Sequence, residues 1–382
     1  MKKVLILGGS HRDIPLIKAA QELGYYVITL GARAYYLGHK YSDKYYLIDF
    51  NDLEAVKKIY IEEDIDYLLP GCGEESYLNT VKLSHQLNIG NFDTLEIAQL
   101  IHDKWKFKEF CLLYGIATPK GFLYHESKRN TALNFPVVVK PTNLSGGRGV
   151  EIVYNEEALQ HSIKEAKRVS QTLFLEEYIE GALIAYSVFL QDKRVSYAFC
   201  GADVSYLNKY LVSTAYPIEL EQIVEKRLRN NIEKLASKLD LVDGMFHLQV
   251  IVKNATPYII DVTRRIPGDF YPYLIEKSDN IAYSKAVVQA YTTGNITENL
   301  VASNNSFVIR HVVMPSKNGV YEKLFIDENL KDSITFLFEL EEQYTVIENY
   351  LHTQLAVIFI TLTKKDTTIL NNINKLIYPI IS

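Results

Sequence analysis

Residues 135–150, FPVVVKPTNLSGGRGV, limit the folds open to this chain more than any other segment. Val137, Val138 and Val139 form a β-branched run bounded by Pro136 and Pro141, the pattern of a short strand buried on both faces. Lys140 stands at its end. An ammonium there is costly unless it meets an anion. The loop that follows, with Ser145, Gly146, Gly147, Arg148 and Gly149, offers backbone N–H groups free of side-chain obstruction together with a guanidinium. Strand, lysine and glycine loop together describe a clamp for a polyphosphate; alone, the same residues also describe a strand and a hairpin turn.

The chain has 382 residues, 48% hydrophobic and 23% charged, as expected of a soluble globular protein of two or three structural units with a substantial core. A formal charge of −5 argues against a broad surface for nucleic acid, so an anionic ligand must be held by local geometry. Cys72, Cys111 and Cys200 are far apart and lack metal-binding spacing, which fits a reducing cytoplasm better than a disulfide scaffold. The apolar run after Lys2 and Lys3 is only four residues long before Gly8, and reads as a first strand instead of a signal peptide. No stretch approaches the length of a membrane span.

Residues 1 to about 100 alternate strand and helix signals. Strands are expected at 4–7, 25–30 and 65–69, with helices at 15–23, ended by Gly24, and at 52–63, opened by a capping-box variant from Asn51 and Glu54. Such alternation predicts a parallel sheet with helices on both faces. The loop after the first strand, GGSHRD at 8–13, lacks the G-x-G-x-x-G spacing of a dinucleotide site and reads as a tight βα turn, which disfavours an oxidoreductase built on this sheet. From about residue 103 the pattern changes. A helix is expected over 104–114, with Phe107, Phe110 and Leu113 or Tyr114 on one face and Gly115 as its stop. A long core helix is expected over 219–239, with Leu220, Ile223, Val224, Leu228, Ile232, Leu235 and Leu239 apolar. Two antiparallel strands around 246–252 and 258–263 would set Gln249 beside Asp261, with Thr263 on the face of Asp261.

In order, spacing and residue type these segments, with LFLEEYIEG at 173–181 and YIIDVTRRIPGD at 258–269, resemble the ATP-grasp superfamily. The match is nearest to the branch holding biotin carboxylase, the ATP-dependent purine-pathway carboxylases and the large subunit of carbamoyl-phosphate synthase. The resemblance implies an α/β and α+β chain with the ATP-grasp fold. Its parts are an N-terminal parallel-sheet domain over 1–102, a nucleotide domain of two lobes over 103–304, and a small β-rich C-terminal domain over 305–382. It implies ATP and Mg²⁺, with Mn²⁺ as the alternative ion. Lys140 and Lys104 then reach the phosphates, and Arg148 touches the γ-phosphate when the loop of Ser145, Gly146, Gly147 and Gly149 closes. Glu176 accepts from the adenine amine, and the backbone around Glu177, Tyr178 and Ile179 reads the remaining edge. Gln249, Asp261 and Thr263 fall at the metal positions, and Arg265 matches the arginine that holds the acceptor carboxylate or transferring phosphoryl group, making Arg265 and Lys140 the catalytic pair. Arg264 reads as a surface salt-bridge residue. His11, Arg12 and the turn GCGEE at 71–75 are placed to face the acceptor.

The activity so implied is that of an ATP-dependent carboxylate–amine ligase working through an acyl phosphate, for instance one joining an amino acid to an amine or amino sugar. Its partners are a small-molecule carboxylate or bicarbonate and an amine acceptor, with neither nucleic acid nor membrane, and a homodimer is compatible with it. Carboxylation through carboxyphosphate is the alternative. A non-catalytic nucleotide-binding protein is a reading of another class. It draws on three departures from the family pattern: Asp261 is one methylene shorter than glutamate, Thr263 offers only a hydroxyl, and Ala182, Leu183, Ile184 and Ala185 supply no carboxylate for the ribose.

Overall fold

Alternating apolar strands and amphipathic helices build the first hundred residues into a parallel sheet. In chain order the elements are β1 (Lys3–Leu7), α1 (Ile14–Glu22), β2 (Tyr26–Leu30), β3 (Lys44–Tyr46), α2 (Leu53–Glu62), β4 (Tyr67–Pro70) and α3 (Glu74–Leu87). The computed structural model describes residues 1–124, 134–142, 149–170, 172–303 and 306–382. The sheet order is β3-β2-β1-β4, every pair parallel. Val4, Ile6, Val27 and Leu69 bury one face against α1, while Leu5, Leu7, Ile28 and Leu68 bury the other against Val56 and Ile59 of α2. Asp52, not Asn51, caps α2, accepting from the Ala55 N–H. β2 and β4 lie on opposite sides of β1, and the loops leaving β1 and β4 line a crevice at the carboxyl ends of the strands.

Next come α4 (Leu95–His102) and α5 (Lys104–Leu113). Asp103 caps α5 through the N–H groups of Trp105 and Lys106, and Gly115 stops the helix with φ +63°. Phe107 and Cys111 are buried and Tyr114 packs beside them, whereas Leu113 is exposed. A four-stranded antiparallel sheet follows, ordered β5-β8-β6-β7, from β5 (Gly121–Leu123), β6 (Val137–Pro141), β7 (Glu151–Val153) and β8 (Leu173–Glu177), with α6 (Glu156–Ala166) against it. Val137, Val139, Leu173 and Leu175 pack on α6 residues, and the two-residue period leaves Val138, Lys140, Phe174 and Glu176 on the opposite face.

The remaining elements are β9 (Ala182–Gln191), β10 (Arg194–Val204), β11 (Thr214–Pro217), α7 (Gln222–Lys238), β12 (Gly244–Lys253), β13 (Thr256–Thr263), α8 (Tyr271–Asp279), α9 (Tyr283–Thr292), β14 (Phe307–Val313), β15 (Gly319–Ile326), β16 (Ile334–Glu339), β17 (Val346–Ile347), β18 (Ala356–Leu362), α10 (Thr367–Leu376) and β19 (Ile377–Ile381). Eight of these strands form one sheet, β13-β12-β9-β10-β11-β14-β18-β16, and three form a second, β17-β15-β19. The large sheet holds strands both from the residues before 303 and from those after 306, because β11 pairs with β14. The segment after 305 therefore contributes strands to the sheet of the segment before it. α7 begins at Gln222, burying Val224, Leu228, Ile232 and Leu235 with Ile223 turned outward.

Candidate active site

The hairpin of β12 and β13 places the expected metal residues through an irregularity. Asn254 and Ala255 both take positive φ, 49° and 56°, giving a tight two-residue turn that pairs Lys253 with Thr256 and continues in plain register to Val250 with Ile259. Between Gln249 and Val250 the register shifts, so that Gln249 faces Asp261 and His247 faces Thr263. Continued without the bulge, the register would set Gln249 against Ile260 and send Asp261 and Thr263 to the opposite face. One extra residue thus brings the three oxygen-bearing side chains together.

Cations converge on this corner. Lys104 Nζ lies 3.5 Å from Asp261 Oδ2. Burial alone would raise the Asp261 carboxyl, but Lys104, Lys140, the Val262 N–H and Arg265 carry it below its ordinary range. Arg265 donates its backbone N–H to Thr263 Oγ1 at 3.2 Å, and its Nε is buried without a partner among the described residues. Burial, followed by Arg265, pushes His102 down to about 3 and His247 to about 4, so both imidazoles are neutral and neither adds charge. Glu74, first residue of α3, lies within reach of Lys104, Asp261 and Arg265, and burial raises its carboxyl. The turn at 71–75 therefore meets this corner.

Lys140 and Glu176 form an ion pair, and the second oxygen of Glu176 takes Lys108 at 2.6 Å. Both lysines lie over the face of Phe174, 5.7 and 5.9 Å from its centroid. Glu177 is tied to Lys120 by its backbone N–H and by its carboxylate, and the Tyr178 N–H donates to Pro136 O, which fixes the strand exit; Ile179 is buried there. Gly149 takes φ +71°. Ser145, Gly146, Gly147 and Arg148 lie outside the described residues.

The oxygen donors present suit a magnesium ion held jointly with phosphate oxygens. Among the described residues no three His, Cys, Asp or Glu side chains form a protein-only cage. Gln249 and Asp261 are adjacent, and beside Gln249 the half-buried Asp203 keeps one oxygen unpartnered among the described residues. Such a set of hard oxygens leaves coordination positions for a polyphosphate.

At the crevice of the parallel sheet a cavity of about 580 Å³ opens, lined by the loop after β1, Tyr35, Tyr36, Cys72, His352 and Gln354. Its glycines pack closely: a Cβ on Gly9 would fall 2.1 Å from His39 Cε1, so the loop rests on that imidazole. Asp13 ties the loop to its neighbour, accepting from Ser10 N and from Cys72 N at 2.8 and 2.7 Å. Asp269 holds residues that line the crevice. Its carboxylate meets Arg12 Nε at 3.1 Å, His11 Nε2 at 3.7 Å and Gln354 Nε2 at 3.3 Å, joining three distant parts of the chain. Burial opposes that charge, yet His11, Arg12 and Arg310 hold the carboxyl far below its usual range. Asp269 and Phe270 both take positive φ, 54° and 56°, a conformation costing about 1–3 kcal/mol per residue that persists only where its surroundings enforce it.

The family model described as the D-ala D-ala ligase C-terminus matches residues 123–268. The carbamoyl phosphate synthase large chain of Archaeoglobus fulgidus is 25% identical over 291 residues, covering 69% of this chain and 27% of that protein. The chain thus spans about a quarter of the length of the curated relatives it matches. Among solved structures, an L-amino acid ligase from Bacillus licheniformis superposes with a TM-score of 0.85 at 17% identity, over 100% of this chain and 99% of that one. The biotin carboxylase domain of Hydrogenobacter thermophilus 2-oxoglutarate carboxylase, in complex with MgADP, ADP and bicarbonate, superposes with 0.78 at 18% identity, over 99% and 91%. The chain has the ATP-grasp fold.

Within this fold the adjacent Arg264 and Arg265 differ. Arg264 was expected at the surface, but it is 4% exposed: Nε meets Asp93 Oδ2 at 2.8 Å, Nη1 donates to Met245 O and Nη2 to Val242 O. The reason is the strand end, where consecutive side chains point to opposite sides, one into the core and one into the cleft. Two further residues escaped sequence reasoning. Arg310 is buried mid-strand in β14, 5.8 Å from the Tyr271 ring centroid, with Nη1 donating to Asp269 O and Nε unpartnered among the described residues. An Arg-His pair inside the apolar run SFVIRHVVM was the available signal. Lys108 stands one helical turn after Lys104, so the i,i+4 spacing already set both on one face.

Proposed function

We propose that this ATP-grasp protein is an ATP-dependent carboxylate–amine ligase. The observation that supports it most is the convergence of Lys104, Lys140, Arg265 and Asp261 on one corner, beside a cavity joined to it through Asp269 and Arg12. Lys140 and Lys104 hold the ATP phosphates, and Glu176 with the strand exit at 177–179 holds the base. Gln249 and Asp261, with Thr263 behind them, would hold Mg²⁺, which supplies charge neutralisation to the phosphates. A substrate carboxylate oxygen attacks the γ-phosphorus, the bond to the β-phosphate oxygen breaks, and ADP leaves an acyl phosphate. The amine then attacks the acyl carbon, inorganic phosphate departs and the ammonium proton passes to solvent. Arg265 and Arg310 stabilise the acceptor carboxylate and the charge that moves to phosphate, so catalysis rests on position and fixed cations. A cavity of about 580 Å³ falls in the range of small-molecule pockets and has room for an organic substrate.

Thermal unfolding with Mg-ATP, with NADH and without ligand tests the nucleotide reading, since a ligand at about 100 times its Kd adds roughly 2.7 kcal/mol. Stabilisation by Mg-ATP alone is expected, followed by acceptor-dependent phosphate release across a panel of amino acids, amines and amino sugars. Stabilisation by NADH without an ATP effect would overturn it.

A further inference from the structure

We infer that Lys108 is a positioning residue: it keeps Glu176 aimed and ionised when Lys140 leaves for the phosphates, and so sets preference for adenine over guanine nucleotides. This assignment rests on the nucleotide reading above.

The two lysines that share Glu176 are not equivalent. Lys108 is 5% exposed, and its ammonium has three acceptors, one for each N–H: Glu176 Oε2 at 2.6 Å, Pro119 O at 2.7 Å and Thr118 Oγ1 at 3.4 Å. It is locked. Lys140 sits at the end of β6, is more exposed at 13%, and takes the other oxygen of a carboxylate that is itself 3% exposed. Lys140 also lies within electrostatic reach of Asp261, on the metal side of the site. A polyphosphate arriving there competes with Glu176 for its ammonium. Once Lys140 turns to phosphate, Oε1 of Glu176 is free to accept a hydrogen bond.

An ionised carboxylate accepts from the 6-amino group of adenine and opposes the 6-oxo oxygen of guanine, whose lone pairs face like charge. A protonated carboxyl or an amide in the same place can donate to that oxygen. Selection for adenine therefore requires Glu176 to stay charged, although burial pushes its carboxyl upward and the opposing charge of Lys140 has moved away. Lys108 is the cation that remains. Lys104 and Lys108, one turn apart on α5, thus serve the two ends of one nucleotide: the first beside Asp261, the second beneath the base.

Calorimetric titration of Mg-ATP and Mg-GTP into the full chain and into Lys108→Met, Lys108→Arg, Glu176→Gln and the Lys108→Met/Glu176→Gln double variant tests this. Lys108→Met should weaken ATP roughly tenfold or more, the scale of a lost charge-assisted contact, and narrow the ATP:GTP ratio, with Lys108→Arg restoring the ratio. In the Glu176→Gln background the same Lys108→Met change should shift ATP affinity less than about threefold, because it acts only through the carboxylate. Should Lys108→Met fail to fold, the double variant, which removes both charges together, still carries the comparison with Glu176→Gln. An unchanged ratio in folded Lys108→Met, or a large difference between the double variant and Glu176→Gln, would overturn the assignment and leave the nucleotide reading intact. A wild-type chain that binds neither nucleotide would overturn both.

Discussion

Replacing Arg264 by methionine should destabilise the fold by about 3–5 kcal/mol, the usual consequence of stranding one partner of a buried ion pair, and should leave the nucleotide affinity of the folded protein unchanged. The magnitude follows from what is lost. Asp93 is 1% exposed and among the described residues would keep only the Val242 N–H at 2.8 Å, while the carbonyls of Met245 and Val242 lose donors at 2.6 and 2.7 Å. Against a typical domain stability of about 5–15 kcal/mol this is a large fraction. With urea slopes of about 1–3 kcal/mol per molar, larger for long chains, the unfolding midpoint should fall by on the order of 1 M. Pairing the change with Asp93→Asn should recover much of the loss, since the stranded charge is then gone. Arg265→Met, one residue on, should behave oppositely, with a midpoint near wild type and impaired catalysis. An Arg264→Met variant that unfolds at the wild-type midpoint, or that loses Mg-ATP affinity while fully folded, would refute the division between the two arginines.

Asp261→Asn should abolish Mg²⁺-dependent turnover with little effect on the urea midpoint, because the side chain is 39% exposed to the cleft, and Asp261→Glu should preserve or raise activity; normal turnover in the asparagine variant would remove these residues from the metal site. Lys140→Ala should raise the ATP KM and lower kcat, whereas Arg265→Ala should mainly lower kcat or raise the acceptor KM, each roughly tenfold to a hundredfold. Equal losses of ATP affinity in the two, measured without acceptor, would make Arg265 another nucleotide ligand. Burial pushes the Glu276 carboxyl from 4.5 up to about 7, where it accepts the Ser284 N–H near the start of α9. A folded pKa above the unfolded one means that its contribution is fully present below about pH 4.5 and is lost as pH rises through about 7. Glu276→Gln keeps an acceptor without the charge and should gain on wild type across that window; parallel unfolding curves at both ends of it would contradict this.

Much of the architecture was legible in local pattern. The strands and helices of the first hundred residues announce themselves by period and by Gly24, and the parallel sheet follows from their alternation. The helix at Lys104 is bounded by Asp103 and Gly115 for reasons contained within a dozen residues. Lys140 at the end of a valine strand was likewise visible, since buried charge is rare enough to mark itself. What local pattern does not carry is the side on which a residue lands once strands pair. The bulge at Gln249 and Val250 reverses the parity of β13, and no residue near it signals that an extra position is to be inserted. The role of Arg264 depends on Asp93, distant in the chain, and the lock on Lys108 depends on Glu176, brought beside it by the pairing of β5 with β8. The resemblance implied a small separate domain after residue 305, yet β14 extends the large sheet because the edge of β11 offers unpaired backbone groups that a neighbouring strand satisfies. Periodicity and capping are decided within a few residues, and so the helices and strands could be read locally. Register, burial of charge and sheet continuation are decided between elements distant in the chain, where only the folded structure brings the interacting groups together.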